Sequence, residues 1–383
     1  MRRFWLILLI FLLVILASTI GCWSCASSGN FSLSSVISSI TKSSREMVSP
    51  LAELITQPTP KPLPLLQYTI GNLQQREYQS SQIILSELVE EDEQKSSYLF
   101  SYQTMNKKMT GLAMVPVNCQ TQVCPVVILI RGYAEPDYYS PGFGTKNASG
   151  VFANNGYVTL AIDFFGFASA DAEPENSWEA RFLKPINIIE LIKTIQKDPY
   201  LYLANNNNDQ EEITNSTISK IAQLNPEQIK IWSHSNGGQI AISVLQILEE
   251  PIPTTSWAPV LAPFPYSILF FSRTSDDEGK EARAWLAIFE KDYDVFEFSI
   301  TQHLEHLNAP LQIHHGTADN DALKVWSDSF VRMVDAHNED RQENEQEPIE
   351  YNYFSYPGAD HNLQPAHNWN QAIQRDLDFF EKH

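Results

Sequence analysis

The stretch Ile229-Lys-Ile-Trp-Ser-His-Ser-Asn-Gly-Gly238 decides the fold of this chain. A short apolar run ends in the pattern small-x-Ser-x-Gly, with Ser233 and Gly237 placed around Ser235, and an apolar helical pattern follows at once. This layout is typical of a tight strand-to-helix turn that exposes the serine hydroxyl at the start of a helix. The pattern also occurs by chance, so its weight depends on partner residues elsewhere in the chain. We predict that Ser235 is a nucleophile.

Two later segments provide candidates for its partners. Residues 309–321 have the pattern of a buried strand followed by a loop with Asp319, and residues 351–361 that of an alternating strand followed by a loop with His361. A serine hydroxyl needs an imidazole to take its proton and a carboxylate to hold that imidazole in the correct tautomer. The chain order Ser, Asp, His is that of α/β-hydrolases. The sequence therefore predicts a triad of Ser235, Asp319 and His361.

The upstream run 125–133 supplies the remaining catalytic element. It is apolar and mostly β-branched, and it ends in Arg-Gly-Tyr. In this fold the loop after the corresponding strand gives one oxyanion-hole N–H, and the residue after the nucleophile gives the other. We therefore assign the oxyanion hole to the backbone N–H groups of Tyr133 and Asn236. Arg131 stands where many such enzymes have histidine, a change we expect to be tolerated because the donor is a main-chain group.

The hydrophobic pattern predicts an α/β fold, with a mostly parallel eight-stranded sheet flanked by helices. Three β-like segments, 83–89, 98–102 and 111–115, form an antiparallel start, and strands then alternate with helices. The predicted later strands lie near 125–131, 157–163, 228–233, 253–259, 309–315 and 350–356, and the helices near 146–155, 183–197, 237–249, 322–337 and 366–381. The aromatic-rich stretch at about 261–308 predicts a helical cap insertion before the acid-bearing strand. Its aromatic residues are expected to form cap core, with a lid over the pocket as the functional interpretation.

The N-terminus has the pattern of a targeting segment. Arg2 and Arg3 precede an apolar run over 4–17, as in a secretory signal, and this run is short for a membrane span. Residues 19–22 resemble a bacterial lipobox, with threonine where a leucine-like residue is usual. Lipidation of Cys22, an uncleaved N-terminal anchor and simple secretion all remain open, and each places the protein outside the cytoplasm.

Composition predicts three parts: a signal or anchor at 1–22, a tether at 23–65 and a catalytic domain at 66–383. Eleven serines between residues 24 and 49, followed by prolines, suit a flexible and then semi-rigid tether. The formal net charge of −20 disfavours nucleic acid and anionic lipid as partners. Membrane association is therefore expected only through the N-terminal segment or a lipidated Cys22. Cys119 and Cys124 are predicted to form a disulfide in an oxidising compartment, with free thiols as the alternative. We predict no metal and no cofactor.

Several motifs together resemble a known group of enzymes. Asp163-Phe-Phe-Gly166, His315-Gly-Thr-Ala-Asp319 and Tyr356-Pro-Gly-Ala-Asp-His361 are similar to motifs in the catalytic domain of the prolyl oligopeptidase family and in dienelactone-hydrolase-like enzymes. The resemblance extends over about 66–383. It implies that Asp319, rather than Asp321, is the triad acid.

The resemblance implies a serine-type peptidase that works through an acyl-enzyme. A carboxylic ester hydrolase of the dienelactone-hydrolase type is the alternative, and a non-catalytic binding module on the same fold is a third possibility. Peptidases of this family usually carry a β-propeller that filters substrates by size, whereas this chain has a tether and a few strands in that place. A restriction to short prolyl peptides therefore does not carry over.

Other polar residues near these motifs have mainly structural interpretations. Glu135 and Asp137 follow the oxyanion loop and are expected to be solvated, with binding of a substrate amine as the alternative. Arg181 is expected to pair with an internal carboxylate, with a substrate carboxylate as the alternative. His234 should line the nucleophile turn. The adjacent pair at 314–315 should serve packing and hydrogen bonding near the acid loop.

Overall fold

A ten-stranded sheet organises the described part of this computed structural model, which comprises residues 61–204 and 218–383. The predicted signal segment, nearly all of the predicted tether and the asparagine-rich loop at 205–208 lie outside these residues. The strands are β1 (Ile83–Glu91), β2 (Lys95–Thr104), β3 (Lys107–Pro116), β4 (Val123–Ile130), β5 (Val158–Ile162), β6 (Tyr200–Ala204), β7 (Ile218–His234), β8 (Thr254–Trp257), β9 (Leu311–Gly316) and β10 (Tyr351–Tyr356). Their order across the sheet is β10-β9-β8-β7-β4-β5-β3-β2-β1-β6.

The sheet is antiparallel where β1, β2 and β3 pair, and it is parallel across the neighbouring strands β5, β4, β7, β8, β9 and β10. β2 pairs antiparallel with β1 and β3, whereas β4 pairs parallel with β5 and β7, and β8, β9 and β10 continue in parallel. Central strands are buried on both faces, which explains why residues 126–130 are continuously apolar rather than alternating. The predicted fold class and the mostly parallel sheet are confirmed.

The described sheet has ten strands, more than the eight of the predicted fold class. Each of the nine segments predicted as strands has a counterpart, and the missed element is β6. β6 pairs antiparallel with the first part of β7 and parallel with β1. Seven strands therefore form a closed ring, in the order β7-β4-β5-β3-β2-β1-β6 and back to β7. The prediction placed a strand only near 228–233, because residues 218–227 are mostly polar and half-exposed and carry no strong alternation.

Helices cover both faces of the sheet. They are α1 (Ile70–Gln74), α2 (Lys146–Asn154), α3 (Ser177–Phe182), α4 (Lys184–Lys197), α5 (Asn236–Leu248), α6 (Tyr266–Ser272), α7 (Lys280–Glu290), α8 (Lys324–Glu343) and α9 (Ala366–Lys382). α2 and α9 pack together on one face, where the rings of Phe152 and Phe380 are 5.5 Å apart. α4 and α5 contact each other and pack within the larger core cluster, to which α4 contributes a row of buried isoleucines.

The predicted cap insertion between β8 and β9 is helical. It contains α6, α7 and three short 3-10 turns at 295–298, 300–302 and 304–306. Trp285 of α7 stacks on Trp178 of α3 with ring centroids 3.5 Å apart, and Phe264, Phe289 and Phe298 are buried around them. Most of these aromatic side chains therefore form cap core, as the sequence led us to expect.

Two further observations concern the secretory predictions. Cys119 and Cys124 form a disulfide immediately before and within the start of β4, which confirms the predicted pairing. Among the described residues, none of the helices combines the length and apolar character needed to cross a bilayer.

Candidate active site

Ser235 occupies a sharp turn between β7 and α5. Its backbone has φ 56° and ψ −124°, a conformation that L-residues rarely adopt. The turn is fixed by hydrogen bonds of the Ser235 backbone, whose N–H donates to Trp257 O at 2.9 Å and whose carbonyl accepts from Gly238 N and Val260 N. A strained backbone held in this way is the geometry of a nucleophile elbow.

Small residues around Ser235 allow the backbones to approach closely. A Cβ at Gly237 would lie 2.2 Å from Ile130 O, and a Cβ at Gly132 would lie 2.8 Å from the Ser235 Cβ. Ser233 is fully buried, and its Oγ is 2.7 Å from Ser256 Oγ. The small-x-Ser-x-Gly spacing therefore has a direct steric cause in this structure.

The structure brings Asp319 and His361 together. Asp319 Oδ2 lies 2.9 Å from His361 Nδ1, and Asp319 Oδ1 accepts the backbone N–H groups of Asp321 and Ala322. The side chain of Asp321 is exposed, so Asp319 is the carboxylate that pairs with the imidazole. The loops after β9 and β10 are adjacent because these two strands are neighbours in the sheet.

A second histidine supports the same carboxylate. His315 Nε2 lies 2.9 Å from the Ala322 carbonyl oxygen and 3.2 Å from Asp319 Oδ2, so its N–H is shared between them, while His315 Nδ1 accepts from the Ser327 hydroxyl. Burial opposes ionisation of Asp319, but the hydrogen bonds from His315 and His361 outweigh it and hold the Asp319 pKa well below its usual range. Asp319 is therefore a permanent anion at neutral pH. The interpretation of His315 as a hydrogen-bonding group near the acid loop is confirmed, although the sequence did not identify Asp319 as a residue that it contacts.

His234 connects the nucleophile strand to the loop that carries His361. Its Nε2 donates to the His361 carbonyl at 3.0 Å, and the two rings are 4.7 Å apart. Burial and the neighbouring His361 lower the His234 pKa to about 4, so His234 is neutral at pH 7. The residue before Ser235 thus touches the residue that would serve as its base. Within the described residues the Ser235 hydroxyl has no hydrogen-bond partner, and such contacts often tighten only when substrate binds.

The predicted oxyanion donors lie on either side of this turn. Asn236 is the first residue of α5, and Tyr133 follows Gly132, which packs against Ser235. Among the residues that the structure describes, neither backbone N–H is bonded to an acceptor. Two free N–H groups beside a serine can stabilise the negative charge of a tetrahedral intermediate.

Arg131 anchors the oxyanion loop, a role that the sequence did not indicate. Its buried guanidinium donates to Gly132 O at 2.9 Å and to Asp163 O at 2.6 Å. The same group lies over the rings of Tyr139 and Phe167, at 4.6 and 4.0 Å from their centroids. Arg131, at the position where many such enzymes have histidine, therefore links the loop that carries Tyr133 to the residue after β5.

Other residues singled out from the sequence have defined surroundings. Glu135 is exposed and accepts from the Tyr133 hydroxyl at 2.6 Å. His314 is buried between the Tyr356 hydroxyl and the Asp376 carboxylate. Arg181 bonds instead to the neutral oxygens of Gln239 and Ser267, and no carboxylate lies within 4.0 Å of it in the described chain. The expected pairing of Arg181 with an internal carboxylate is therefore wrong.

Two groups of side chains have the spacing of metal ligands. Within the described ranges, one combines Asp319, Asp321 and His361, and the other is formed by the half-buried His303 and His306 with the exposed Glu305. In the first group Asp319 Oδ2 accepts from His361 and is also in contact with His315, which suits an orienting carboxylate better than a metal ligand. We assign neither group to a metal.

Comparison with known proteins places this geometry in a fold. An acetyl xylan esterase from Paenibacillus sp. R4 matches with TM-score 0.54 and 15% identity, over 81% of this chain and 91% of that one. A puromycin-hydrolysing peptidase of Mycobacterium tuberculosis (TM-score 0.52, 13% identity, 75% and 39% of the two chains) and an acylaminoacyl peptidase of Pyrococcus horikoshii (0.53, 14%, 76% and 42%) also match.

These likenesses establish that the chain has the α/β-hydrolase fold, which is shared by peptidases and esterases. The chain spans about two fifths of the length of the two peptidases. No protein-family model and no curated protein matches the sequence. The activity of this chain must therefore be argued from its own site.

Proposed function

We propose that this protein is an extracytoplasmic serine hydrolase with a Ser235–His361–Asp319 triad, acting as a peptidase of the prolyl oligopeptidase type. The observation that carries the proposal is the Asp319–His361 pair at 2.9 Å, held by His234 against the strained turn that presents Ser235. A structural role alone would not explain strain, a hydrogen-bonded Asp–His pair and two free N–H groups at one place.

The mechanism follows from the position of each group. Ser235 Oγ attacks the substrate carbonyl, and His361 takes the hydroxyl proton and later gives it to the leaving group. Asp319 bonds His361 Nδ1, which leaves Nε2 for the serine and stabilises the imidazolium. The N–H groups of Tyr133 and Asn236 bind the oxyanion. Water then attacks the acyl-enzyme by the reverse proton transfers. This chemistry requires no metal or cofactor.

Hydrolysis of a carboxylic ester is the second candidate, and one observation favours it. The chain corresponds to nearly the whole of the acetyl xylan esterase but to less than half of the two peptidases. The same triad and oxyanion hole serve amides and esters, and esters are easier substrates because their leaving groups are better. The substrate groups beyond the carbonyl decide between these candidates.

The location and partners form part of the proposal. Residues 1–22 have the pattern of a secretory signal or anchor, and the Cys119–Cys124 disulfide suits an oxidising compartment. We propose attachment to the membrane through the N-terminal segment or a lipidated Cys22. Peptide or ester substrates are the proposed partners, and the acidic surface argues against nucleic acid.

The test compares full-length wild-type protein with Ser235→Ala on an alanyl-prolyl anilide and a short-chain nitrophenyl ester, together with labelling by a fluorophosphonate. We expect labelling and turnover in the wild type and loss of both in Ser235→Ala. Asp319→Asn should lose most of kcat, whereas Asp321→Asn, the matched control, should keep it. Turnover of the anilide identifies a peptidase, and turnover of the ester alone identifies an esterase. Equal activity in folded Ser235→Ala protein would refute the proposal.

A further inference from the structure

A cavity of about 210 Å³ lies next to the nucleophile turn, where the α3–α4 junction meets the start of α5. Its lining includes Asn236, whose N–H is the proposed oxyanion donor, and Gln239 one turn further along α5. Two cations, Arg181 and Lys184, line the opposite side. Asn236, which directly follows Ser235, therefore adjoins a pocket that carries positive charge.

Arg181 reaches the cavity without a counterion. Its Nη2 donates to Gln239 Oε1 at 3.1 Å and lies 3.5 Å from Ser267 Oγ, and both acceptors are neutral. Its Nε is buried and has no hydrogen-bond partner in the described chain. A guanidinium presents a fork of donors that matches a carboxylate, so unused donors beside a cavity suit an anionic ligand.

Lys184 is the second cation, at the first position of α4. Its ammonium lies 5.7 Å from the centre of the Phe164 ring, and among the described residues it forms no ion pair within 4.0 Å, Glu173 being the acid whose charge acts on it. Burial lowers the Lys184 pKa to about 8, although Glu173 opposes this shift. A cation without an ion pair in a partly buried position is costly unless a ligand neutralises it.

The acids nearby leave this positive charge only partly balanced. Glu173 is the single acid among the described residues that line the cavity, and its side chain is exposed. Glu179, on the same helix as Arg181, accepts from the Tyr68 hydroxyl. Asp163 accepts from Thr110 and Tyr139 on the far side of Arg131.

We propose that this cavity binds a carboxylate on the substrate through Arg181 and Lys184, so that the enzyme prefers substrates with an acidic group beside the scissile carbonyl. This inference rests on the proposed hydrolase function. The cavity is smaller than those that hold drug-sized ligands, roughly 300–1,000 Å³, so the acidic group is a short one. Acidic acyl groups of succinyl or glutaryl length and small acidic leaving groups are the matching chemistry.

The kinetic test uses matched ester pairs with full-length protein. The acyl pair is mono-p-nitrophenyl glutarate against p-nitrophenyl pentanoate, and the leaving-group pair is 4-acetoxybenzoate against 4-acetoxytoluene. We expect kcat/KM of wild type to favour the acidic member of one pair. Arg181→Gln and Lys184→Met should each lower kcat/KM for that ester by about 10- to 100-fold and change the neutral ester by less than about threefold.

Two further variants test the sign of the effect. Glu173→Gln removes the acid that competes for the cations, so it should increase the preference for the acidic ester. Arg332→Gln removes an exposed charge on α8 that does not line the cavity, so it should change neither ester. A loss in Arg332→Gln equal to that in Arg181→Gln would show a general charge effect and overturn the inference.

A binding measurement separates this inference from the proposed function. Ser235→Ala protein should bind glutarate in calorimetry, and the double variant with Arg181→Gln should not. If neutral esters turn over through Ser235 but neither pair shows an acidic preference and glutarate does not bind, the inference is wrong and the hydrolase stands. If Ser235 contributes nothing to turnover of any ester, the hydrolase proposal fails, whatever the binding result.

Discussion

His315 Nε2 and His361 Nδ1 contact the same carboxylate oxygen of Asp319, at 3.2 and 2.9 Å. His315 is fully buried, and its other nitrogen is fixed by Ser327 Oγ, so its orientation is set from outside the site. The carboxylate is thus positioned by one histidine while it orients another.

Removal of the His315 contact should slow the chemical step without weakening substrate binding. His315→Ala removes the N–H that is shared by the Ala322 carbonyl and the charged Asp319 carboxylate, which predicts that kcat falls about tenfold at nearly constant KM. His315→Gln, which can still donate to Asp319, should restore most of the rate. Steady-state kinetics beside melting curves provide the check, and a loss that follows melting temperature in both variants would reveal a purely structural role.

The backbone strain at Ser235 should be measurable as stability. Glycine tolerates a positive φ, whereas alanine keeps the strain of serine. Glycine should relieve about 1–3 kcal/mol of backbone strain in the folded state, but it also raises the conformational entropy of the unfolded chain. We therefore predict that the free energy of unfolding of Ser235→Gly is about 1 kcal/mol higher than that of Ser235→Ala. Urea unfolding of the two inactive variants measures this difference. Equal stabilities would mean that the turn relaxes without cost.

Two helical glycines should respond oppositely to alanine. At Gly237 a methyl group would lie 2.2 Å from Ile130 O, whereas at Gly150 in α2 nothing lies within 4 Å. We expect Gly150→Ala to raise the free energy of unfolding by about 0.5–1 kcal/mol through helix propensity. Gly237→Ala should lower it by roughly 1–3 kcal/mol and reduce activity. Denaturant unfolding of the two variants tests whether the turn has no room for a methyl group. This explanation is wrong if both alanine substitutions raise the free energy of unfolding.

His234 should make stability depend on pH below neutrality. Its folded pKa is about 4 and the unfolded value about 6.5, so the unfolded chain binds more protons between these values. The free energy of unfolding should therefore fall as the pH drops from 6.5 to 4, by at most about 3 kcal/mol at this residue. His234→Gln cannot titrate at this position, so its free energy of unfolding should fall less than that of wild type between pH 6.5 and 4. Parallel slopes of wild type and variant over this range would contradict the prediction.

The Arg131 anchor should influence the oxyanion hole. Arg131→Met removes the donors to Gly132 O and Asp163 O, so the loop that presents Tyr133 N–H loses its tie to β5. We expect kcat to fall about tenfold, less than the 100-fold or more typical of deleting an oxyanion donor itself. Arg131→Lys keeps one charged donor, so its kcat should lie between those of wild type and Arg131→Met. An unchanged kcat in folded Arg131→Met protein would show that the loop is held by other contacts.

The sequence predicted elements whose pattern is local. The apolar run before Ser235 and the motif ending at Asp319 carry their own signal, so the central strands, the turn and the loop carrying Asp319 could be located. Contacts between distant segments had no such signal. Arg131 follows β4 and Asp163 follows β5, 32 residues further along the chain. Neither segment has a sequence pattern that predicts the hydrogen bond from Arg131 to the Asp163 carbonyl.

Errors arose where a residue's partner depends on packing. Arg181 was expected to meet an internal carboxylate, but the helices around it bring the neutral side chains of Gln239 and Ser267. β6 has only five residues and a long polar segment follows it in the sequence, so the hydrophobic pattern did not mark it as a strand. Its place in the sheet depends on pairing with β1, which is distant in sequence.

The closed ring of seven strands has a consequence for association. A sheet normally exposes two rows of unpaired backbone groups, one at each end, and either can recruit a strand from another molecule. β6 pairs with β1 at Ile83–Leu85 and with the first part of β7, so these parts of the sheet have no free row, whereas β10 pairs only with β9 among the described strands. The rows that a strand from another molecule could meet in the described sheet therefore include the outer side of β10 and the short part of β1 at 86–91, and closure of the ring shortens the second of these.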